Sequence, residues 1–245
     1  HRKLYINYIH QFIKNQLKGE ATMASISKGI TVYGRLSFPV WSFKDAVERN
    51  KKSDYPKTDE STVTPEFHLL LDQAQLDKFK TYVTDVFFPD LLARKAAGET
   101  KNALDQAQVD RLLKVVNSDW TEQPPYIPIK ALSEKSAELA PEAVASLKVN
   151  GMRGQDMVLK AIVNSEDELV IPDENILAYP IIQPINLTVH DLYPGSLAAA
   201  TLNLYSFVSG KVPGFSASTG TVIFKADAER FGGGIAIDED EIFAD

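Results

Sequence analysis

The chain has 245 residues, 44% of them hydrophobic and 24% charged, with no Cys and a formal net charge of −7. Without Cys there is no disulfide framework, no thiolate nucleophile and no Cys-ligated zinc or iron–sulfur centre. The apolar runs fall far short of the roughly 20 residues a spanning helix needs, which makes this a water-soluble globular composition for one elaborated domain or two small ones.

The sequence begins at His1, and residues 1–22 carry Arg2, Lys3, Lys14 and Lys18 against Glu20, a net of +3. Met23-Ala24-Ser25 looks like a start, so residues 1–22 read as a leader; the rival reading is a basic amphipathic helix with Ile9, Phe12, Ile13 and Leu17 on one face. Residues 30–38 alternate, with Ile30, Val32, Leu36 and Phe38 on one face and Thr31, Tyr33, Arg35 and Ser37 on the other, the pattern of a half-buried strand. Trp41 and Phe43 follow Pro39. Residues 44–65 read as a long polar loop with a basic cluster of Lys44, Arg49, Lys51, Lys52 and Lys57. Residues 67–71 form a second strand.

Leu76, Phe79, Val83 and Val86 then recur at helical spacing, with Asp72 as a cap and Pro89 as a break or kink. Val109, Leu112, Leu113 and Val116 make a second apolar face, and a weaker third helix is expected over about 133–147. Strands return after Gly151, over 157–163, 181–189, 197–208 and 215–225. In the strand from Leu197 the even positions Ala198, Ala200, Leu202, Leu204 and Val208 should face the core, while Asn203, Tyr205 and Phe207 point away. This order fits a mostly antiparallel barrel with helices inserted between its early and late strands.

The chain closes on Gly232-Gly233-Gly234, a flexible hinge, and a segment with five acids in residues 237–245. Such a segment repels itself and is expected to be disordered. Its Ile242 and Phe243 suit partner docking better than simple solubilisation. Leader, body and tail divide the charge as +3, −5 and −5, so any anion-binding function needs its positive charge gathered locally.

Motifs for catalysis are missing. Outside the leader the histidines are His68 and His190, in neither H-E-x-x-H nor H-x-E…C-x-x-C. There is no G-x-S-x-G elbow. Ser209-Gly210-Lys211 resembles the end of a phosphate loop, but Tyr205 stands where the loop needs its first Gly and Val212 where it needs Ser or Thr. The expectation is a non-enzyme with no cofactor and no metal site.

One run is distinctive: Tyr193-Pro-Gly-Ser-Leu-Ala-Ala-Ala-Thr-Leu-Asn-Leu-Tyr-Ser-Phe207, then Gly210-Lys211-Val-Pro-Gly214-Phe215, Thr221-Val-Ile-Phe224 and Glu229-Arg-Phe-Gly232-Gly233. It resembles the C-terminal barrel region of tailed-phage single-stranded DNA-binding proteins of the OB-fold type. Residues 34–39, Arg153-Gly154-Gln155 to Val163, Ile171-Pro172-Asp173 and the acidic tail are similar to other parts of that family. Phe243 is followed by Ala244-Asp245 rather than ending the chain, and residues 73–148 carry no matching motif.

The resemblance implies a mainly β protein: a five-stranded Greek-key OB barrel over residues 23–231, a helical insertion at about 73–148 and a disordered acidic tail over 232–245. It implies sequence-independent binding of single-stranded DNA in replication or recombination, in the host cytoplasm and away from membranes. Aromatic faces would stack on bases and Lys or Arg would meet phosphates. The DNA-binding candidates are Tyr33, Arg35, Trp41, Phe43, Lys44, Lys51, Lys52, Tyr55, Lys57, Arg153, Lys160, Tyr205, Phe207, Lys211 and Phe215. The tail candidates for recruiting replication or recombination proteins are Asp238, Glu239, Asp240, Glu241, Ile242 and Phe243. A homodimer is left open. The competing reading is a phage structural or assembly protein whose β-barrel binds protein surfaces.

Overall fold

The structure is a computed structural model and describes residues 29–99, 103–118, 120, 125–161, 192–226 and 228–231. The leader, the expected strand at 181–189, His190 and the acidic tail lie outside the described residues.

Strand β1 (Ile30–Val40) buries Ile30, Val32 and Leu36 as its alternation demands. It pairs antiparallel with β2 (Glu66–Leu71) through Arg35↔Leu70 and Leu36↔Leu69, and with β6 (Leu197–Ser209) through Ile30↔Leu202 to Arg35↔Leu197. Gly34 stands where the two pairings meet. A Cβ there would lie 2.4 Å from the Leu70 carbonyl oxygen, so only Gly lets β1 approach β2 closely enough.

Strand β2 pairs antiparallel with β4 (Ala145–Asn150), β4 runs parallel to β7 (Val212–Ser218), and β7 pairs antiparallel with β6. With β6 returning to β1, the pairings close a ring: β1, β2, β4, β7, β6 and back to β1. Two strands of the ring are extended by short continuations. Strand β8 (Thr221–Ala226) follows β7 along β6, from Asn203↔Ser218 to Ala199↔Ile223, with a break at Thr219-Gly220. Strand β5 (Val158–Ala161) runs parallel to β8 as β4 runs parallel to β7. The expected single strand over 215–225 is therefore two, β7 and β8. The two-residue β3 (Ile129–Lys130) pairs with β4, which completes an eight-stranded mixed sheet among the described residues.

Helices pack against the ring and share its apolar core. Helix α2 (Gln73–Tyr82) is capped by the Asp72 carboxylate, which accepts from the Gln75 N–H. A π-helical turn over Val83–Phe87 joins it to α3 (Phe88–Ala96). That turn corrects the expected face: the wider winding turns Val86 outward and Phe87 inward, just before Pro89 enters α3. Phe87 and Phe88 each pack 5.6 Å from the Phe215 ring of β7. Helix α4 (Gln106–Val116) buries Val109, Leu112, Val115 and Val116 and starts with a capping box between Asp105 and Gln108. The sheet and helix residues form one continuous apolar core.

Two further expectations are corrected. The loop after β1 contains helix α1 (Phe43–Lys51), because Ser42 caps it and Ala46 and Val47 bury themselves against Val63. The weak helix over 133–147 shrinks to α5 (Glu134–Leu139), and β4 begins at Ala145. No helix among the described residues is long and apolar enough to cross a membrane.

Candidate nucleic-acid interface

Because side chains alternate along a strand, β2, β4, β7 and β6 share an outward face. On β4, Ala145, Leu147 and Val149 go inward, so Ser146, Lys148 and Asn150 go out. Glu66 stands beside Asn150, and His68 beside Lys148, on β2. Ser216 of β7 lies opposite Tyr205 of β6, and Gly214 opposite Phe207. Asn150 ties the two halves of the face together, donating from Nδ2 to Ser216 Oγ at 2.8 Å.

The aromatic end of this face has a defined geometry. Tyr126 stacks on Phe207 with ring centroids 6.4 Å apart and planes 28° from parallel. Gly214 makes this possible, since a Cβ there would lie 2.6 Å from the Phe207 ring and 3.1 Å from the Tyr126 Cβ. Tyr126 and Tyr205 are 46% and 43% exposed, enough to offer a flat surface to a planar partner. Lys211 is exposed on the tight turn between β6 and β7.

The other end of the face meets the excursion between β1 and β2. A cavity of about 310 Å³ opens between α1, the following loop and the strands, lined in part by Val40, Arg49, Lys57, Glu66, Lys148 and Asn150. Glu66 holds two cations there: Lys148 Nζ lies 2.5 Å from its Oε2, and Arg49 NH1 3.3 Å from its Oε1. Burial raises the Glu66 carboxyl, but the Lys148 hydrogen bond and the Lys148 and Arg49 charges outweigh it and leave the pKa below the usual value. His68, hydrogen-bonded through Nδ1 to Ser146 Oγ at 2.9 Å, is pushed down to about 4, first by burial and then by the Lys148 charge. It is a neutral group at physiological pH.

The sequence-predicted residues fall into three sets. Tyr205, Phe207 and Lys211 lie on the outward face or its bordering turn. Lys44, Lys51, Lys52, Tyr55 and Lys57 lie in the β1–β2 excursion, where Tyr55 is 92% exposed. Lys51 is shared between Glu48 at 3.2 Å and Glu60 at 3.6 Å, while Lys57 donates to the Thr62 carbonyl. Arg153 is exposed in the 151–157 loop, and its charge adds to the two Ser61 hydrogen bonds that lower the Asp59 pKa.

The third set is held by the fold. Trp41 is in the core, 5.6 Å from Phe67, with its indole N–H on the Leu192 carbonyl. Phe215 is 1% exposed. Phe43 packs against the small cluster of Ala46, Val47 and Val63. Arg35 is only 12% exposed: its guanidinium donates to the Gly195 and Glu229 carbonyls and to Glu142, and covers the Phe231 ring at 4.7 Å. Tyr33 is half-buried on β1, with Lys225 Nζ 3.6 Å from its ring centroid. Lys160 is half-buried on β5, away from Tyr205 in the register.

Sequence reasoning passed over Lys148, Asn150, His68, Ser216 and the stacked position of Tyr126. The signal for the first two was present: Ala145, Leu147 and Val149 alternate with Ser146, Lys148 and Asn150. The Ala- and Glu-rich stretch before them, 134–144, favoured a helix and hid it. Among the described residues no group of three or more His, Asp or Glu could hold a metal ion.

No protein-family model matches the chain, and no curated protein matches it. Solved structures do. The chain is similar in structure to the single-stranded DNA-binding protein from bacteriophage Enc34, at TM-score 0.44 and 16% identity over 88% of this chain and 90% of that one. The same protein in complex with ssDNA matches at TM-score 0.43 and 14% identity, over 84% and 90% of the two chains. The gp2.5 single-stranded DNA-binding protein encoded by bacteriophage T7 is similar at TM-score 0.37 and 10% identity, over 88% of this chain and 98% of that one.

Proposed function

We propose that the chain binds single-stranded DNA without sequence preference, on the outward face of β2, β4, β7 and β6. The observation that carries this reading is the pairing of exposed aromatics with positive charge on one sheet face. Tyr205 and the Tyr126–Phe207 stack lie beside the Asn150–Ser216 seam, with Lys148 next along β4. Single strands expose flat bases and a charged backbone, and a face of this kind meets both without reading base edges.

In this reading the closed ring of five paired strands is an OB-type Greek-key barrel, with β4 parallel to β7. Oligonucleotides bind OB folds across strands two and three and the loops after the first and fourth strands. Here those places are the β2–β4 face, the excursion carrying Tyr55 and Lys57, and the Gly210-Lys211 turn. The body's formal charge of −5 is compatible with this if its cations gather on that face and those loops. The acidic tail would recruit replication or recombination proteins, with Phe243 as its apolar anchor.

The test is fluorescence anisotropy of labelled oligo(dT) over a salt series, with a duplex of equal length as comparison. Binding should prefer the single strand and weaken with salt, with a log–log slope of about −0.7 per phosphate contact. Binding that is absent, or indifferent to salt, overturns the reading.

A further inference from the structure

The Glu66 carboxylate is held in the manner of a bound phosphate. Each of its oxygens takes a different cation, Lys148 from β4 and Arg49 from α1. Its side chain is 22% exposed, while those of Lys148 and Arg49 are 36% and 59% exposed, so the cations remain reachable from solvent above the carboxylate. All three line the cavity at the end of the outward face, beside Asn150.

Stability gives little reason for this arrangement, since partly exposed ion pairs contribute about 0–1 kcal/mol. For anion binding its effect is direct. A phosphate approaching Lys148 and Arg49 meets two cations already shared by one carboxylate, a local net of +1 rather than +2. It must displace Glu66 to gain both contacts. His68, the neighbour of Lys148 across the strand pair, adds no compensating charge while neutral.

We propose that Glu66 is a built-in competitor for DNA phosphate, which holds Lys148 and Arg49 in the unbound protein and sets the affinity of this end of the face below its maximum. The inference rests on the single-stranded DNA reading and assigns that reading one phosphate position, over the cavity mouth.

The experiment compares the full chain with its Glu66→Gln variant, using labelled oligo(dT) over a salt series. Gln keeps the shape of the side chain and removes the charge. The expected result is about tenfold tighter binding at low salt, equivalent to about 1.4 kcal/mol, and a log–log slope steeper by about 0.7 for the one added phosphate contact. Adding Lys148→Gln to that variant should remove most of the gain. Thermal midpoints recorded alongside confirm that each variant folds, and Glu66→Ala, which should show the same steepening, serves if Gln does not fold. Unchanged affinity and slope in Glu66→Gln overturn the inference alone. Weaker binding also overturns it, because the carboxylate would then position the cations rather than compete for them. A wild-type chain that binds no oligo(dT) overturns the reading beneath, and the inference falls with it.

Discussion

The β1 flank of the ring and the outward face of β2, β4, β7 and β6 carry the same residue types in different surroundings. On the flank, Arg35 is bound to the carbonyls of Gly195 and Glu229, to Glu142 and to the Phe231 ring, and Trp41 is in the core. These contacts fasten the segment at 228–231 across β1, where Phe231 buries itself with Leu70, Ala140 and Ala143. On the face, Lys148 is bound to a single carboxylate and the Tyr205 ring is 43% exposed. A cation or an aromatic ring is therefore available to a ligand only where the fold leaves its surface open. That is decided by tertiary partners, here contributed by chain as distant as residue 231.

The sharpest way to break this contrast is at the buried end. Phe215→Ala removes a ring packed against Phe87 and Phe88 and should cost about 3–5 kcal/mol of stability in urea unfolding. A variant that unfolds like the wild type yet loses oligo(dT) binding would return Phe215 to the list of DNA contacts. Arg35→Ala comes next, at about 3 kcal/mol, because two carbonyls and a carboxylate lose a charged donor that is largely shielded from water. Its salt slope for oligo(dT) should match the wild type. A slope smaller by about 0.7 would instead place a phosphate on Arg35.

The open face should answer in the other direction. Tyr205→Ala is expected to lose about 1–3 kcal/mol of oligo(dT) affinity, the value of one stacked base. Its unfolding midpoint should move by less than the equivalent of about 0.5 kcal/mol, as for a surface substitution. Lost stability without lost affinity would make Tyr205 a packing residue and erase the difference between the two regions.

The strands of the ring were legible because their apolar residues recur at alternate positions: Ile30, Val32 and Leu36 of β1, and Ala198, Ala200 and Leu202 of β6, are buried as that spacing requires, with Ser37 and Ala199 buried beside them. The pattern fails where strands leave the core. Val208, expected inward, is 44% exposed near the end of β6, although Ser206, two residues earlier on the same side, is buried. Helix α1 was hidden because its nine residues carry little apolar surface, and only Ala46 and Val47 are buried. The exposed Tyr205 and Lys211, and the half-buried Phe207, could be found from the strand period and the turn that follows. The loss of Arg35 and Trp41 to the fold could not, because their partners Gly195, Glu229 and Leu192 lie more than 150 residues away. Nor could the Glu66–Lys148 pair, which exists only because β2 and β4 are neighbours in the ring.

The one effect that depends on pH concerns His68, on β2 at the edge of the cavity. Its pKa of about 4 lies below the ordinary 6.5, so between those values the unfolded chain binds more protons than the folded one. Stability from this group is present above pH about 6.5 and is lost as pH falls toward about 4, with a slope of at most about 1.4 kcal/mol per pH unit. Urea unfolding of wild type and His68→Gln at several pH values across that window isolates the group, since Gln can still hydrogen-bond Ser146 Oγ. The wild type should lose stability relative to the variant as the pH drops, and a constant difference would mean that His68 titrates normally. The same neutrality bears on binding. If His68 stays uncharged, acidifying from about pH 7 to 5 adds no cation at this position, and the two proteins should keep the same ratio of oligo(dT) affinities. A wild-type affinity that climbs relative to His68→Gln over that range would make the imidazole part of the phosphate-binding charge, beside Lys148.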